Sequence, residues 1–334
     1  MNQTNSGPRQ WSFEEVQNIY ERPFLDLVYE AATLQRQNHA RNEVQLCTLL
    51  SIKTGGCPEN CSYCPQSAHY STSVKKENLM SVTDVVEKAK EAMSQGSTRF
   101  CMGAAWREVK DNEEFDQVID MVKGVKQLGL EVCCTLGMLS SQQAKRLKEA
   151  GLTAYNHNLD TSEDHYDSII QTRKYEDRLR TLANVSDAGI SVCCGGIVGL
   201  GESHGDRINF LKTLANLNPQ PESVPINTLV AVEGTPLENQ DKVDVFDWIR
   251  MIATARILMP NARVRLSAGR LDLSREAQAL AFMAGANSIF SGEKLLTTPN
   301  PLDQSDRALL NTLGLKAVTQ GEAVGFNELE HDLA

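Results

Sequence analysis

From about residue 44 to residue 290, eight short apolar runs alternate with stretches of helical periodicity, and nothing else in the 334-residue chain restricts its fold as strongly. Strands separated by helical patterns of about 10–18 residues mark βαβ units, which wind into parallel sheets. The runs predict strands near 45–52, 98–104, 131–136, 152–157, 190–198, 224–230, 262–267 and 287–290. Helices are expected over 82–94, 113–128, 141–150, 175–188, 206–215, 243–257 and 274–284, several ended by a glycine at 96, 129, 151, 189 or 285. An α/β fold follows, with a (β/α)8 TIM-type barrel as the simplest account and a doubly wound open sheet as the alternative. Ser12-Phe-Glu-Glu15 is a capping-box start for a short helix that Pro23 stops, and a second helix is expected over about 25–37. The chain thus divides into an N-terminal helical extension (1–43), a barrel (44–314) and a motif-free tail (315–334).

Lys and Arg number 33 against 43 Asp and Glu, a net charge of −10, and no basic run or aromatic-basic patch stands out. That argues against nucleic acid or an anionic membrane as partner. No apolar run reaches the ~18 residues of a spanning helix, and Met1 to Trp11 lacks a secretory or transit pattern, so a cytoplasmic location is expected. Hydrophobic content of 41% is ample for a sizeable core. Nine cysteines in a chain of this length argue for metal or catalytic use in a reducing compartment, because secreted disulfide frameworks are short and loop-rich.

Three of those cysteines crowd into Cys57-Pro-Glu-Asn-Cys61-Ser-Tyr-Cys64, directly after the first strand. Thiolates are soft ligands that select zinc or iron–sulfur clusters, and this spacing lets one loop wrap one centre. A closed zinc site or an ordinary four-iron cluster needs four protein ligands, and the nearest other candidates are Cys47, inside the strand, and His69. Three ligands leave one iron open. A zinc knuckle or incidental core cysteines are the alternatives.

Barrel active sites lie at the C-terminal ends of the strands. Polar and metal-capable residues fall on or near those strand ends: Cys101, the pair Cys133 and Cys134, Asn156, Asn158 and Asp160, the pair Cys193 and Cys194, Asn227, and Arg265. A single strand Cys is ordinarily core filler, yet thiols at similar depth on three strands can hold a second metal centre. Arg265 offers donors only, so chemistry alone gives it an ion-pairing role. Asn156, Asn158 and Asp160 share one face of their strand end, suited to a ligand with several NH and OH groups, while His157 points the other way as a packing residue. Gly195-Gly-Ile-Val-Gly-Leu-Gly lacks phosphate-loop spacing, and its glycines are expected to let the backbone approach a flat adenine or a methionine.

The three-cysteine loop, with Tyr63 before its last Cys, resembles the signature of the radical S-adenosylmethionine (SAM) enzymes. Together with STRFCMGAAW, YNHNLDT, CGGIVGLGE, ESVPIN, VRLSAGR and MAGANSIFSGEKLLTTPNP, it resembles the biotin synthase family from about Trp11 to Gly314. The resemblance implies a sulfurtransferase that joins sulfur to dethiobiotin. By that likeness Cys57, Cys61 and Cys64 hold a [4Fe-4S] cluster whose open iron binds SAM. Its electron cleaves SAM to methionine and a 5′-deoxyadenosyl radical. Cys101, Cys133, Cys193 and Arg265 match the positions holding a [2Fe-2S] cluster, the sulfur donor, so the resemblance favours Arg265 as a ligand. Asn158 and Asp160 match contacts to the SAM ribose and substrate, Asn156 and Asn227 contacts to the ureido ring, and Thr297 and Thr298 the substrate-carboxylate end. Cys134 and Cys194 match no role. The family further implies a flavodoxin- or ferredoxin-type electron donor, iron–sulfur assembly proteins and a homodimer. Two other classes remain open on the residues: another radical SAM barrel with an auxiliary cluster, such as a hydrogenase-maturation or thiolation enzyme, and an iron–sulfur scaffold or sensor, which needs no SAM site.

Overall fold

The computed structural model describes residues 9–319. Two helices open it, α1 (Phe13–Tyr20) and α2 (Phe24–Asn38). The Ser12 hydroxyl accepts from the Glu15 N–H, and the Glu15 carboxylate accepts from the Ser12 N–H, the reciprocal cap that the sequence predicts. The barrel then begins with β1 (Glu43–Lys53), α3 (Val82–Ser94), β2 (Arg99–Ala104), α4 (Glu113–Gln127) and β3 (Glu131–Thr135). It continues with α5 (Ser141–Glu149), β4 (Ala154–Asn156), α6 (Glu163–Ile169), α7 (Tyr175–Asp187), β5 (Ser191–Cys193) and β6 (Gly196–Val198). The second half holds α8 (His204–Ala215), β7 (Ser223–Thr228), α9 (Val245–Leu258), β8 (Arg263–Leu266), α10 (Arg275–Met283), β9 (Ser288–Phe290), α11 (Asp303–Leu313) and β10 (Lys316–Ala317). Strands run in the order β1-β2-β3-β4-β5-β7-β8-β9, and β9 pairs with β1, closing an all-parallel barrel of eight. No open sheet remains.

Strand periodicity sorts the buried residues into two shells. Cys47, Cys101, Cys133, Ala154, Phe290 and Leu295 pack inside the barrel. A much larger cluster, including Val132, Cys134, Tyr155, Val192, Cys194 and Val224, fills the layer between strands and helices. The adjacent cysteines therefore part company, with Cys133 inward and Cys134 outward.

The run expected as one strand over 190–198 is two, β5 and β6, broken at Cys194-Gly195. Pro225 on the neighbouring β7 has no N–H to donate, so the β5–β7 ladder stops after Cys193↔Ser223 and resumes at Gly196↔Ile226. A Cβ on Gly195 would lie 1.9 Å from the Pro225 carbonyl oxygen, and one on Gly196 2.4 Å from that of Asp160. Glycines expected to admit a ligand instead admit neighbouring backbone. Helices α6 and α11 and the two-residue β10, which extends the sheet beside β1, were outside the sequence expectation. Residues 1–8 of the extension and 320–334 of the tail lie outside the described residues.

Tyr155 ties β4 to the loop after β3. Its hydroxyl donates to the Gly137 carbonyl (2.6 Å) and accepts from the Leu136 N–H (3.1 Å), all buried. Tyr155→Phe leaves both backbone groups unpaired and is expected to cost about 1–3 kcal/mol. Urea unfolding checks this as a lowered midpoint at unchanged slope.

Candidate active site

A cavity of about 320 Å³ opens at the C-terminal mouth of the barrel, within the range of small-molecule sites. Its walls include all three loop thiols, the Asn156, Asn158 and Asp160 row, Asn227, Thr297 and Thr298. Deeper in stand Cys101, Cys133, Cys193 and Arg265.

The cysteine loop is pinned from both sides. The Cys57 N–H donates to the Gln66 carbonyl (2.9 Å), and the Ala68 N–H to the Cys57 carbonyl (2.7 Å). Across the mouth, the Asn60 side-chain oxygen accepts from the N–H groups of Gln171 (2.9 Å) and Thr172 (3.1 Å), and the Ser62 N–H donates to the Ile169 carbonyl (3.0 Å). The segment between α6 and α7 therefore sets the loop's height over the barrel. Burial pushes the Cys61 thiol up to about 11, and burial with Cys61 alongside pushes Cys64 up to about 12. Metal capture here must displace protons from the thiols.

Tyr63 donates to the Asp160 carboxylate (2.7 Å), which also pairs with Arg178 on α7 (2.6 Å), both partners almost wholly buried. Asp160 itself has φ +69°, a left-handed residue that turns the strand end so that its carbonyl accepts from Ile197 on β6 (2.9 Å). Asp tolerates this conformation better than most side chains because it is short and polar. Arg178 also donates to the Asn158 carbonyl and, through Nε, to the Tyr166 hydroxyl (2.8 Å). Asn156 donates to the Asn158 side-chain oxygen (2.9 Å), which also accepts from the Gly195 N–H (3.1 Å). Asn227 donates to the Gly196 carbonyl (3.0 Å) and accepts from the Ala268 N–H (3.1 Å). An amide group has two donors and two acceptor sites, so one of each stays available on Asn227.

At depth, Arg265 donates through Nε to Ser288 (2.9 Å), through Nη2 to Gln45 (3.3 Å) and through Nη1 towards the Cys193 sulfur (3.7 Å). Cys101, Cys133 and Cys193 line the cavity together, and the neighbouring thiols together with burial push Cys133 and Cys193 well above the usual thiol range. Below them Arg99 makes a bidentate pair with Glu222 (2.9 and 3.0 Å) and a bond to Glu131 (2.8 Å). His157 packs its ring beside Tyr155 (6.3 Å), and burial together with Arg173 and Arg178 holds its imidazole well below the usual range. Among the described residues, no three Cys, His, Asp or Glu side chains gather as a single metal ion requires. An iron–sulfur cluster is several atoms across and needs its thiols further apart.

Arg178, Arg173 and Glu59 escaped the sequence reading. Arg178 sits on the buried stripe of α7 with Tyr175, Leu182 and Val185, and a charge on an otherwise buried face was the available signal. Glu59, inside the cysteine loop, is buried and lies 3.5 Å from Arg107 and 3.9 Å from Arg173.

A closed parallel barrel with a three-cysteine loop after its first strand is the architecture of a radical SAM enzyme. The family model "Radical SAM superfamily" matches residues 51–214, and "Biotin and Thiamin Synthesis associated domain" matches 225–316. The barrel closes across both. The chain is 65% identical to the biotin synthases of Cytophaga hutchinsonii (92% of this chain, 91% of the relative) and Myxococcus xanthus (92% and 88%). It is 59% identical to the mitochondrial biotin synthase of Arabidopsis thaliana (92% and 82%). Among solved structures it resembles methylornithine synthase (TM-score 0.78, 18% identity, 94% and 96% covered) and the FeFe-hydrogenase maturase HydG of Carboxydothermus hydrogenoformans (0.76, 16%, 92% and 76%), which speak for the fold. The chain belongs to the biotin synthase family. It is an enzyme whose cofactors are SAM, a [4Fe-4S] cluster and a [2Fe-2S] cluster. The soft, buried donor sets at the mouth and at depth suit two such clusters. No described helix is long and apolar enough to cross a membrane.

Arg178→Met leaves the Asp160 carboxylate buried without its cation. A loss of about 3–5 kcal/mol is expected, because breaking one side of a buried pair strands the other charge. Urea unfolding of the cluster-free protein measures it.

Proposed function

We propose that, in this chain's conversion of dethiobiotin to biotin, Cys57, Cys61 and Cys64 hold the [4Fe-4S] cluster and Cys101, Cys133, Cys193 and Arg265 the [2Fe-2S] cluster. One observation carries the reading: a single cavity joins the two donor sets, with the amide-rich row between them. When bound, SAM and the clusters supply the radical chemistry and the sulfur atom. The chain's own residues bind, orient and exclude water. Asn158 and Asp160 are the proposed contacts to the SAM ribose and substrate. The pairs with Arg178 and Tyr63 hold the Asp160 carboxylate in one orientation. Asn156 and Asn227 are assigned to the ureido ring. An uncharged ring needs neutral donors and acceptors, and Asn227 keeps one of each free while its other bonds fix its plane. Thr297 and Thr298, also in the cavity wall, take the substrate-carboxylate end; the bond from the Leu295 N–H to the Thr298 carbonyl (2.9 Å) closes their loop into a turn. A walled cavity suits chemistry in which a radical attacks C–H bonds, since it keeps other reactants away.

Residues 1–43 form the helical extension, 44–314 the barrel and 315–334 the tail in this reading. A flavodoxin- or ferredoxin-type protein supplies electrons, and the partial exposure of Cys57 and Cys64 supports electron entry at the mouth. Iron–sulfur assembly proteins load the clusters in the cytoplasm. A homodimer is supported by the exposed apolar side chains of Leu25 and Tyr29 on α2 and Phe246 on α9.

The test is an anaerobic assay of the reconstituted full chain for 5′-deoxyadenosine and biotin from SAM and dethiobiotin. Cys61→Ala is expected to abolish both products while the protein stays folded; SAM cleavage at the wild-type rate would make the loop structural. Cys193→Ala should lose the second cluster, read as iron and sulfide content. Cys194→Ala, in the outer layer, should keep it at a stability cost of about 1 kcal/mol. Loss of that cluster in Cys194→Ala with retention in Cys193→Ala would reverse the assignment.

A further inference from the structure

The interior of the barrel carries four thiols, of which the proposed ligand set uses three. The fourth is Cys47 on β1, fully buried and packed in the inner cluster with Cys101, Cys133 and Phe290. Its level is fixed by strand register. Along β8, β9 and β1, Arg265 pairs with Ser288 and Ser288 with Gln45. On the other side, Cys101 pairs with Leu49. Gln45, Cys47 and Leu49 are successive inward positions of one strand, so Cys47 stands midway between the level of Arg265 and that of Cys101.

Its contacts say the same. The Cys47 thiol donates towards Gln45 Oε1 (3.6 Å) and lies 3.7 Å from Ser288 Oγ. Those are the two atoms that receive Arg265, at 3.3 and 2.9 Å. Guanidinium and thiol therefore share both polar partners and compete for one corner of the site. Nearby on β7, Ser223 pairs with Cys193, shares the inward face of Pro225, is fully buried, and its hydroxyl has no hydrogen-bond partner. A buried polar group without a partner is uncommon and calls for a structural or functional cause. The cavity is lined by Cys101, Cys133, Cys193 and Arg265, whereas Cys47 sits just behind that lining.

We propose that Cys47 is a reserve ligand of the inner cluster, taking the coordination position of Arg265 when the guanidinium is withdrawn and converting the site to four thiolates. This rests on the assignment of Cys101, Cys133, Cys193 and Arg265 to the inner cluster. Arginine is a weak donor beside three thiolates, and a thiolate is the softer and better ligand for iron. Removing Arg265 opens the corner that Cys47 already borders and frees Gln45 Oε1 and Ser288 Oγ to turn with it.

The experiment uses the full chain with Cys57, Cys61 and Cys64 all changed to Ala, so that iron reports on the inner site alone. Arg265→Ala, Cys47→Ser and the double variant are reconstituted anaerobically with iron and sulfide. Metal content, visible absorption and the electron paramagnetic resonance of the reduced protein are then compared, with circular dichroism to confirm folding. Arg265→Ala is expected to keep its cluster with an altered spectrum, and Cys47→Ser to keep the parent spectrum. The double variant should bind iron more weakly than Arg265→Ala by at least the roughly 10–100-fold that losing even an outer-shell partner costs. A double variant that retains the cluster and spectrum of Arg265→Ala overturns the proposal, as does cluster loss in Arg265→Ala itself. Should Arg265→Ala not fold, Arg265→Gln, which preserves a donor to Ser288, replaces it with the same outcomes. Cys193→Ala in the same background separates the two readings: if it keeps the cluster, the inner-site assignment fails along with the reserve ligand, and if it loses it, only the Cys47 result decides.

Discussion

Everything in this chain depends on the pairing of β9 back onto β1, through Gln45↔Ser288, Leu46↔Ile289 and Cys47↔Phe290. A closed sheet has no edge to protect, and every second residue of every strand must face inward. Barrel interiors are ordinarily filled by Val, Ile and Leu. Here the inward positions hold Gln45, Cys47, Arg99, Cys101, Cys133, Asn156, Cys193, Asn227 and Arg265, so the centre is a polar, sulfur-rich site. Hydrophobic stabilisation has to come from the other shell, and the large cluster between strands and helices supplies it. Sheet closure thus separates the two tasks: the outer face of each strand stabilises, and the inner face binds.

That separation explains what could be read from residues alone. Strands β2, β3, β7 and β9 are buried on both faces over most of their length and so show no clean alternation, which makes strands easy to find and their orientation hard to assign. In Cys133-Cys134 the period of two says that one thiol faces inward, and only the register with Cys101 on β2 and Ala154 on β4 says which. The cysteine loop was legible because its chemistry is local: three thiols within eight residues leave few uses. The Asp160–Arg178 pair was not. It spans 18 positions, depends on a left-handed turn at Asp160, and joins a strand end to the buried face of a helix. Helix α6 is only seven residues, too short for a periodic signal, and the break between β5 and β6 depends on Pro225, which lies in another strand.

Charge explains why arginine recurs around the sulfur atoms. Thiols in a dry interior resist ionisation, as the raised positions of Cys61 and Cys64 show, and each thiolate formed there needs a compensating cation. Arginine meets that need best because its guanidinium stays protonated when buried beside acceptors and directs several donors along fixed lines. Arg178 stands by Cys61 at the mouth and Arg265 by Cys193 at depth, each tied to neighbouring acceptors that fix its orientation in the cavity wall.

The two arginines differ in what anchors them, and that difference carries over to function. Arg178 is neutralised by Asp160, so the mouth already holds a balanced pair before any cofactor binds. Arg265 has only neutral acceptors in direct contact, Ser288, Gln45 and the Cys193 sulfur, while the nearby carboxylates of Glu131 and Glu222 are engaged by Arg99. Glu222 feels the Arg265 charge at longer range, so Arg265 has a distant counter-charge but no direct ion pair. A positive group without a direct counter-charge is costly in a low-dielectric interior, so Arg265 gives the depth of the barrel a chemistry that suits an anionic group such as the proposed cluster.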